Sequence, residues 1–328
     1  MNPNLQLLCD QFIQNRDIIK ESFAWDSSLI FPACATIFME KNIIPNRNNL
    51  KFCENVLKEN TGVLSNFRSN TKLPVISMMS ISNDPIGRIQ NTLGFYNLLK
   101  KYFWNSEYLA LGAMILSDMI PIQAHEFVAM KASRIYNSIK KVHPFLTSSE
   151  DAVFCLLLAA SGKNENEILT HTEECYELLK PHFFSGNAVQ ALSHALTMQE
   201  GTPKDKCDKF MNLYFALNQN GYKYGTSFEL ASLGLLATID VDSFELIKNF
   251  GDVNNFLKSQ KGYGLFGIGE KQRYMHIVMI LLRYYGVNDN RVSTATFSNI
   301  AMSIIIAQQI ALVTMIATTS VATSAGNV

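Results

Sequence analysis

The chain carries no excess of charge of either sign. Lysine and arginine total 28, aspartate and glutamate also total 28, and only 17% of residues are charged. A nucleic-acid footprint needs a basic excess or a local Lys/Arg-rich run, and the sequence offers neither, so no nucleic-acid partner is expected. The six cysteines, at positions 9, 34, 53, 155, 175 and 207, form no CxxC pair. A chain of 328 residues needs no disulfide staples, and this usage points to a reducing, cytoplasmic setting. The stretch Met1–Asp10 lacks a basic start, a long apolar run and a small-residue cleavage site, so no signal peptide is expected.

Catalytic signatures are also missing. The glycine-rich stretch 262–269 follows no strand pattern and lacks the spacing of a dinucleotide loop, and there is no P-loop. His125-Glu126 opens no HExxH, because Ala129 and Met130 stand where the second histidine would be needed. No segment alternates β-branched and polar residues with period two, which makes the expected fold all-α.

What is present is apolar residues, 48% of the chain, and a repeat of about forty residues. An aromatic followed by a short polar cluster recurs at Trp25, Phe67, Trp104, Phe145, Phe184, Tyr224 and Phe266, with gaps of 42, 37, 41, 39, 40 and 42. Ser, Thr, Asn and Asp after each anchor are N-cap types that accept hydrogen bonds from a helix's first amides. Examples are Asp26–Ser28, Ser106, Thr147–Ser149, Ser185 and Thr226–Ser227. A mostly apolar helix follows, then a turn, then a second helix closing on Tyr96–Lys100, Tyr136–Lys140 or Tyr176–Lys180. The closing lysine sits where the helix dipole favours a cation. These patterns predict an N-terminal helix within 1–22 and about seven tandem helical hairpins over 23–291. Such units stack on their neighbours, as an α-solenoid or a closed α/α toroid.

Residues 292–328 carry no charged side chain. Their core, 300–317, approaches the length of a membrane span, but Gln308 and Gln309 fall in its middle. The expectation is a buried helix, within the ring or between protomers, with membrane association through 296–322 as the alternative. The leading functional reading is a cytoplasmic helical-repeat scaffold that binds a protein partner on a concave surface or self-associates through this apolar segment.

Three stretches carry a family resemblance: His143-Pro-Phe-Leu-Thr-Ser-Ser-Glu-Asp151, the block at 183–194 that ends Leu192-Ser-His194, and the Ala307-Gln-Gln309 segment. With them the chain resembles, over nearly its whole length, the bacterial family called domain of unknown function 4003. The resemblance implies a bacterial, all-helical protein and implies no activity.

The repeat also exposes a polar stripe. Six and ten residues after the anchor, three units carry Asp151/Cys155, Gln190/His194 and Gln272/His276, one helical turn apart on one face. If those faces converge, Cys155, His194 and His276 form a ligand set for zinc with water in the fourth position. Asp151, Gln190 and Gln272 would then orient ligands or substrate. The competing reading is core packing or an internal polar network. The adjacent acids Glu150 and Asp151, with Glu107 and Glu229 at related positions, suit acid–base work or simple helix-dipole pairing. Asn187 belongs with the first-helix N-termini, which would line one rim and offer amides to an anion. Together, Glu107, Glu150, Asp151, Asn187, Gln190, Glu229 and Gln272 outline a small-molecule pocket for the alternative of a toroidal enzyme.

Overall fold

The computed structural model describes residues 1–288 apart from 228, 265 and 266. Among these the chain is all-α, with 14 helices and no strands. Long helices alternate with short ones. The long helices are α1 (Pro3–Ser22), α3 (Arg47–Asn60), α5 (Pro85–Leu99), α7 (His125–Val142), α9 (Glu165–Leu179), α11 (Pro203–Gln219) and α13 (Ser243–Lys258). The short helices are α2 (Phe31–Glu40), α4 (Lys72–Ser80), α6 (Glu107–Leu116), α8 (Asp151–Ala160), α10 (Gly186–Thr197) and α12 (Glu229–Ala237); α14 (Glu270–Asn288) continues their series.

Composition explains the alternation. A short helix such as Phe31-Pro-Ala-Cys-Ala-Thr-Ile-Phe-Met39 is buried along its whole length, as an element apolar on every face must be. A long helix such as α3 buries only Leu50, Cys53, Val56 and Leu57, the three- and four-residue spacing of one stripe. The first turns of the long helices other than α7 are capped by side chains, among them Asn46 on Asn49, Asp84 on Gly87, Thr202 on Asp205, and Asp242 on Phe244 and Glu245. The expected caps on the short helices are fewer. Ser106 and Ser185 act as predicted, whereas α2, α4 and α8 begin with no side-chain cap bond.

The other ends of the short helices are closed from outside. Cations on neighbouring helices donate to carbonyls at or just beyond their last turns. Arg88 reaches Met78 O, Lys131 Nζ reaches Ala159 O at 3.2 Å and Lys163 O at 2.6 Å, and Lys206 Nζ reaches Gln199 O at 3.2 Å. Arg283 Nε reaches Met39 O at 3.3 Å. Each replaces water at a carbonyl that a buried helix end would otherwise orphan, and each cation faces the negative end of the helix dipole.

The packing pairs differ in phase from the hairpins read in the sequence. Each long helix packs on the short helix that follows it, α1 on α2, α3 on α4, and so on to α13 on α14. Helix α1 is thus the opening member of the first pair. Short helices also pack side by side from α2 through α14, and α14 packs against α2 and α1. Long helices do the same from α1 through α13, and α13 packs against α1. Side-chain contacts join α1 to α14 and the loop before it: Phe12 lies 6.0 Å from His276, and the Arg16 guanidinium lies 5.6 Å from the Tyr263 ring. Glycines permit close approach between short helices. A Cβ on Gly112 would lie 2.8 Å from Leu156 Cδ1, and one on Gly234 would lie 2.5 Å from Leu192 Cδ1.

The uncharged segment 292–328, including the 296–322 membrane alternative, and the Phe266 anchor lie outside the described residues. Among the described residues no helix is long and apolar enough to cross a membrane.

Candidate functional site

The polar stripe assembles in part. Asp151 opens α8 with its carboxylate turned inward, where Oδ2 accepts from Ser148 N at 2.8 Å and Oδ1 accepts from Gln190 Nε2 at 2.9 Å. His194 Nδ1 lies 3.6 Å from the same Oδ1, and Gln190 Nε2 also points to Thr147 Oγ1 at 3.4 Å. Cys155 lies one turn beyond Asp151, fully buried. Burial pushes the Asp151 carboxyl up to about 6, holds the His194 imidazole down to about 3, and raises the Cys155 thiol well above its ordinary range. Burial, with the Asp151 charge beside it, likewise lifts Glu150 to about 7.

The other residues of the expected pocket stay apart from this cluster. Glu107 accepts from Ser69 Oγ at 2.8 Å and Asn70 Nδ2 at 3.4 Å, pinning two successive loops together. Glu229 is buried with Lys271 Nζ at 3.9 Å. Asn187 is exposed in the first turn of α10, and Gln272 is half-buried in α14. His276 Nδ1 bonds the Tyr263 hydroxyl at 2.8 Å. No three His, Cys, Asp or Glu side chains among the described residues are placed to hold a metal ion. Cys155, His194 and His276 therefore do not form the ligand set that their shared repeat position predicted. Asp151, Gln190 and His194 form an internal polar network sealed from solvent, with exposures of 4%, 1% and 0%.

The aromatic anchors turn out to divide. Phe67 and Tyr224 are buried. Trp25, Trp104, Phe145 and Phe184 project fully into solvent, joined by Leu64, all five at between 90% and 106% of full exposure. Their spacing is 39, 40, 41 and 39 residues. The packing role expected of them falls to Phe67 and to residues one or two positions earlier in the other loops. Those rings stand against a tyrosine in the last two turns of the next long helix. Phe67 meets Tyr96 at 5.0 Å, Phe103 meets Tyr136 at 5.6 Å, His143 meets Tyr176 at 4.3 Å and Phe183 meets Tyr214 at 5.2 Å.

The loops that carry the exposed tips lie side by side at one end of the molecule. Lys72 Nζ bonds Asp26 at 2.8 Å, Asn66 Nδ2 bonds Asn105 Oδ1 at 2.7 Å, and Ser69 bonds Glu107. Leu146 lies against Gly186. Lysines surround the tips. Lys100, Lys140 and Lys180 lie over the rings of Tyr96, Tyr136 and Tyr176 at 5.3, 5.7 and 5.6 Å. Lys101, Lys141, Lys223, Lys258 and Lys261 are exposed in the same turns and loops, against the exposed acids Glu21, Glu59, Glu177 and Glu270. The opposite ends of the long helices carry acids in or beside the first turn: Asp84, Glu126, Glu165, Asp205 and Asp242. Dipole complementarity in parallel helices thus biases the tip end toward lysine and the far end toward acids, with exposed Lys41, Arg47 and Lys204 also at the far end. Beside Trp104, the segment from Lys100 to Asn105 lines a shallow, open depression.

The family model described as "Protein of unknown function (DUF4003)" matches residues 15–311, and the chain belongs to that family. It is similar to the uncharacterized protein YeaA of Bacillus subtilis strain 168, with 25% identity over 211 residues. That match covers 62% of this chain and 64% of YeaA, so it spans less than two thirds of the relative. No solved structure matches.

Proposed function

We propose that this DUF4003 protein is a binding scaffold, closed as an α/α toroid, whose working surface is the end bearing Trp25, Leu64, Trp104, Phe145 and Phe184. Support for closure comes from the packing of α14 on α2 and of α13 on α1. In a toroid the short helices form the inner ring and the long helices the outer one. Seven helices spaced about 9–10 Å apart leave an axial space roughly one helix wide. The short helices are buried along almost their whole length, which leaves the end surface for partners.

One observation carries the functional reading: four aromatics and a leucine recur at the tips of successive loops while contributing no burial to the fold. Exposed apolar surface of that extent marks an interaction site. Asp151, Gln190 and His194 are buried, so the small-molecule reading draws less support. A photo-crosslinking amino acid placed at Phe145 in cells tests the scaffold reading. Adducts to another macromolecule or to lipid are expected at Phe145, and none at exposed Lys248 on the side of the molecule. An adduct-free Phe145 would refute it.

A further inference from the structure

We propose that the partner of this end face is the surface of an anionic membrane, a proposal that rests on the scaffold reading above. Three features of the face favour lipid. First, the tips are tryptophan, phenylalanine and leucine, the side chains that partition into the boundary between headgroups and acyl chains. They sit on separate loops held side by side, so they enter a plane together without any change in the helices. Second, exposed lysines share the helix ends and loops that carry the tips. The ammonium groups of Lys100, Lys140 and Lys180 lie over tyrosine rings, and the side chains themselves remain exposed. Third, Asp84, Glu126, Glu165, Asp205 and Asp242 stand at the far end, and this bias turns the lysine face toward negative charge.

The same charge pattern disfavours the other occupants. A second copy meeting this face across a two-fold axis would set lysine against lysine. An acidic peptide satisfies the lysines, but it has no use for apolar tips spread over five loops.

The test uses the full-length chain. Its two tryptophans, Trp25 and Trp104, both stand on this face, so intrinsic fluorescence reports on it alone. Vesicles of phosphatidylcholine with about one-third phosphatidylglycerol should shift the emission to the blue and carry the protein down on sedimentation. Pure phosphatidylcholine should bind it at least about tenfold more weakly, because each lysine near an anionic surface adds to the attraction, and raised salt should release it. The variant Phe145→Ser/Phe184→Ser, with both tryptophans retained as reporters, should lose most of the binding. Its circular dichroism and thermal midpoint should match the parent. Lys100→Glu/Lys140→Glu/Lys180→Glu should bind anionic vesicles no better than neutral ones. Emission unmoved by anionic vesicles overturns the lipid proposal, as does binding undiminished in both variants. A blue shift with a doubled mass in the absence of lipid, or with polyglutamate alone, also overturns it while leaving the scaffold reading intact. Only an adduct-free Phe145 in cells removes both.

Discussion

Replacing Asp151 with asparagine should make the protein more stable at neutral pH, and the gain should vanish in acid. The carboxyl is lifted from 3.8 to about 6 by burial. A folded-state pKa above the unfolded one means that the folded state binds the proton more tightly. Ionised Asp151 therefore costs stability above pH 6, the cost shrinks as pH falls from 6 toward 3.8, and below that it is gone. The shift of about two pKa units corresponds to about 3 kcal/mol at pH 7. The asparagine oxygen keeps the bond from Ser148 N, but the contact with Gln190 must be rearranged, which returns about 1–2 kcal/mol. Asp151→Asn should then be about 1–2 kcal/mol more stable than the parent at pH 7.5. Relative to that, it should fall by about 3 kcal/mol by pH 4, so the two stability curves cross. Urea unfolding followed by circular dichroism at half-unit pH steps gives the difference curve, from which all other titrating groups cancel. His194 supplies the opposite sign. Its imidazole is held down from 6.5 to about 3, so its stabilising neutrality erodes as pH falls below 6.5. His194→Gln should gain on the parent over the range where Asp151→Asn loses. A difference curve for Asp151→Asn that is flat with pH, or a variant less stable at pH 7.5 than at pH 4 relative to the parent, would refute the reasoning. The pair would then be an imidazolium–carboxylate ion pair, with Asp151 ionised and stabilised in the fold.

Lys131→Met should lower the unfolding free energy by about 1–3 kcal/mol, because the carbonyls of Ala159 and Lys163 lose their buried donor. Exposed Lys141→Met, its control in chemical denaturation, should stay within about 0.5 kcal/mol. Gly234→Ala pushes a methyl to 2.5 Å from Leu192 Cδ1 and should cost about 1–3 kcal/mol by calorimetry. A neutral result there would mean that α10 and α12 separate freely.

The helices were legible because each class obeys a local rule. The long ones bury one stripe and end on Tyr-x-x-Leu/Ile-Lys, and the short ones are apolar throughout, so Ala152–Ala160 and Tyr136–Lys140 announce themselves. The phase of pairing was not legible. A repeat has no intrinsic start, and counting from the aromatic joined each short helix to the long helix after it, whereas the packed partner is the one before. The buried cations were missed for a related reason. Arg88, Lys131 and Lys206 look like surface residues until the neighbouring carbonyls they serve are known, and those carbonyls come from a turn or a helix elsewhere in the chain. The signal was a lysine or arginine inside the apolar stripe of a long helix.

The polar stripe shows what a shared repeat position can establish. It placed Asp151, Gln190 and His194 together because α8 and α10 are adjacent, and it failed for His276, whose hydrogen bond goes to Tyr263 on the loop before α14. The anchors show the converse. Recurrence picked out Trp104 and Phe184, and recurrence alone cannot separate a residue kept for packing from one kept for exposure. One position earlier, Phe103 and Phe183 do the packing against Tyr136 and Tyr214, so the following aromatic is surplus to the fold. Folding free energy gives no reason for a large ring in contact with water, since exposure forfeits the burial that would stabilise it. Its return at tip after tip, beside lysines that the helix dipole concentrates at the same end, needs a cause outside the chain, and a surface that is both apolar and anionic supplies one.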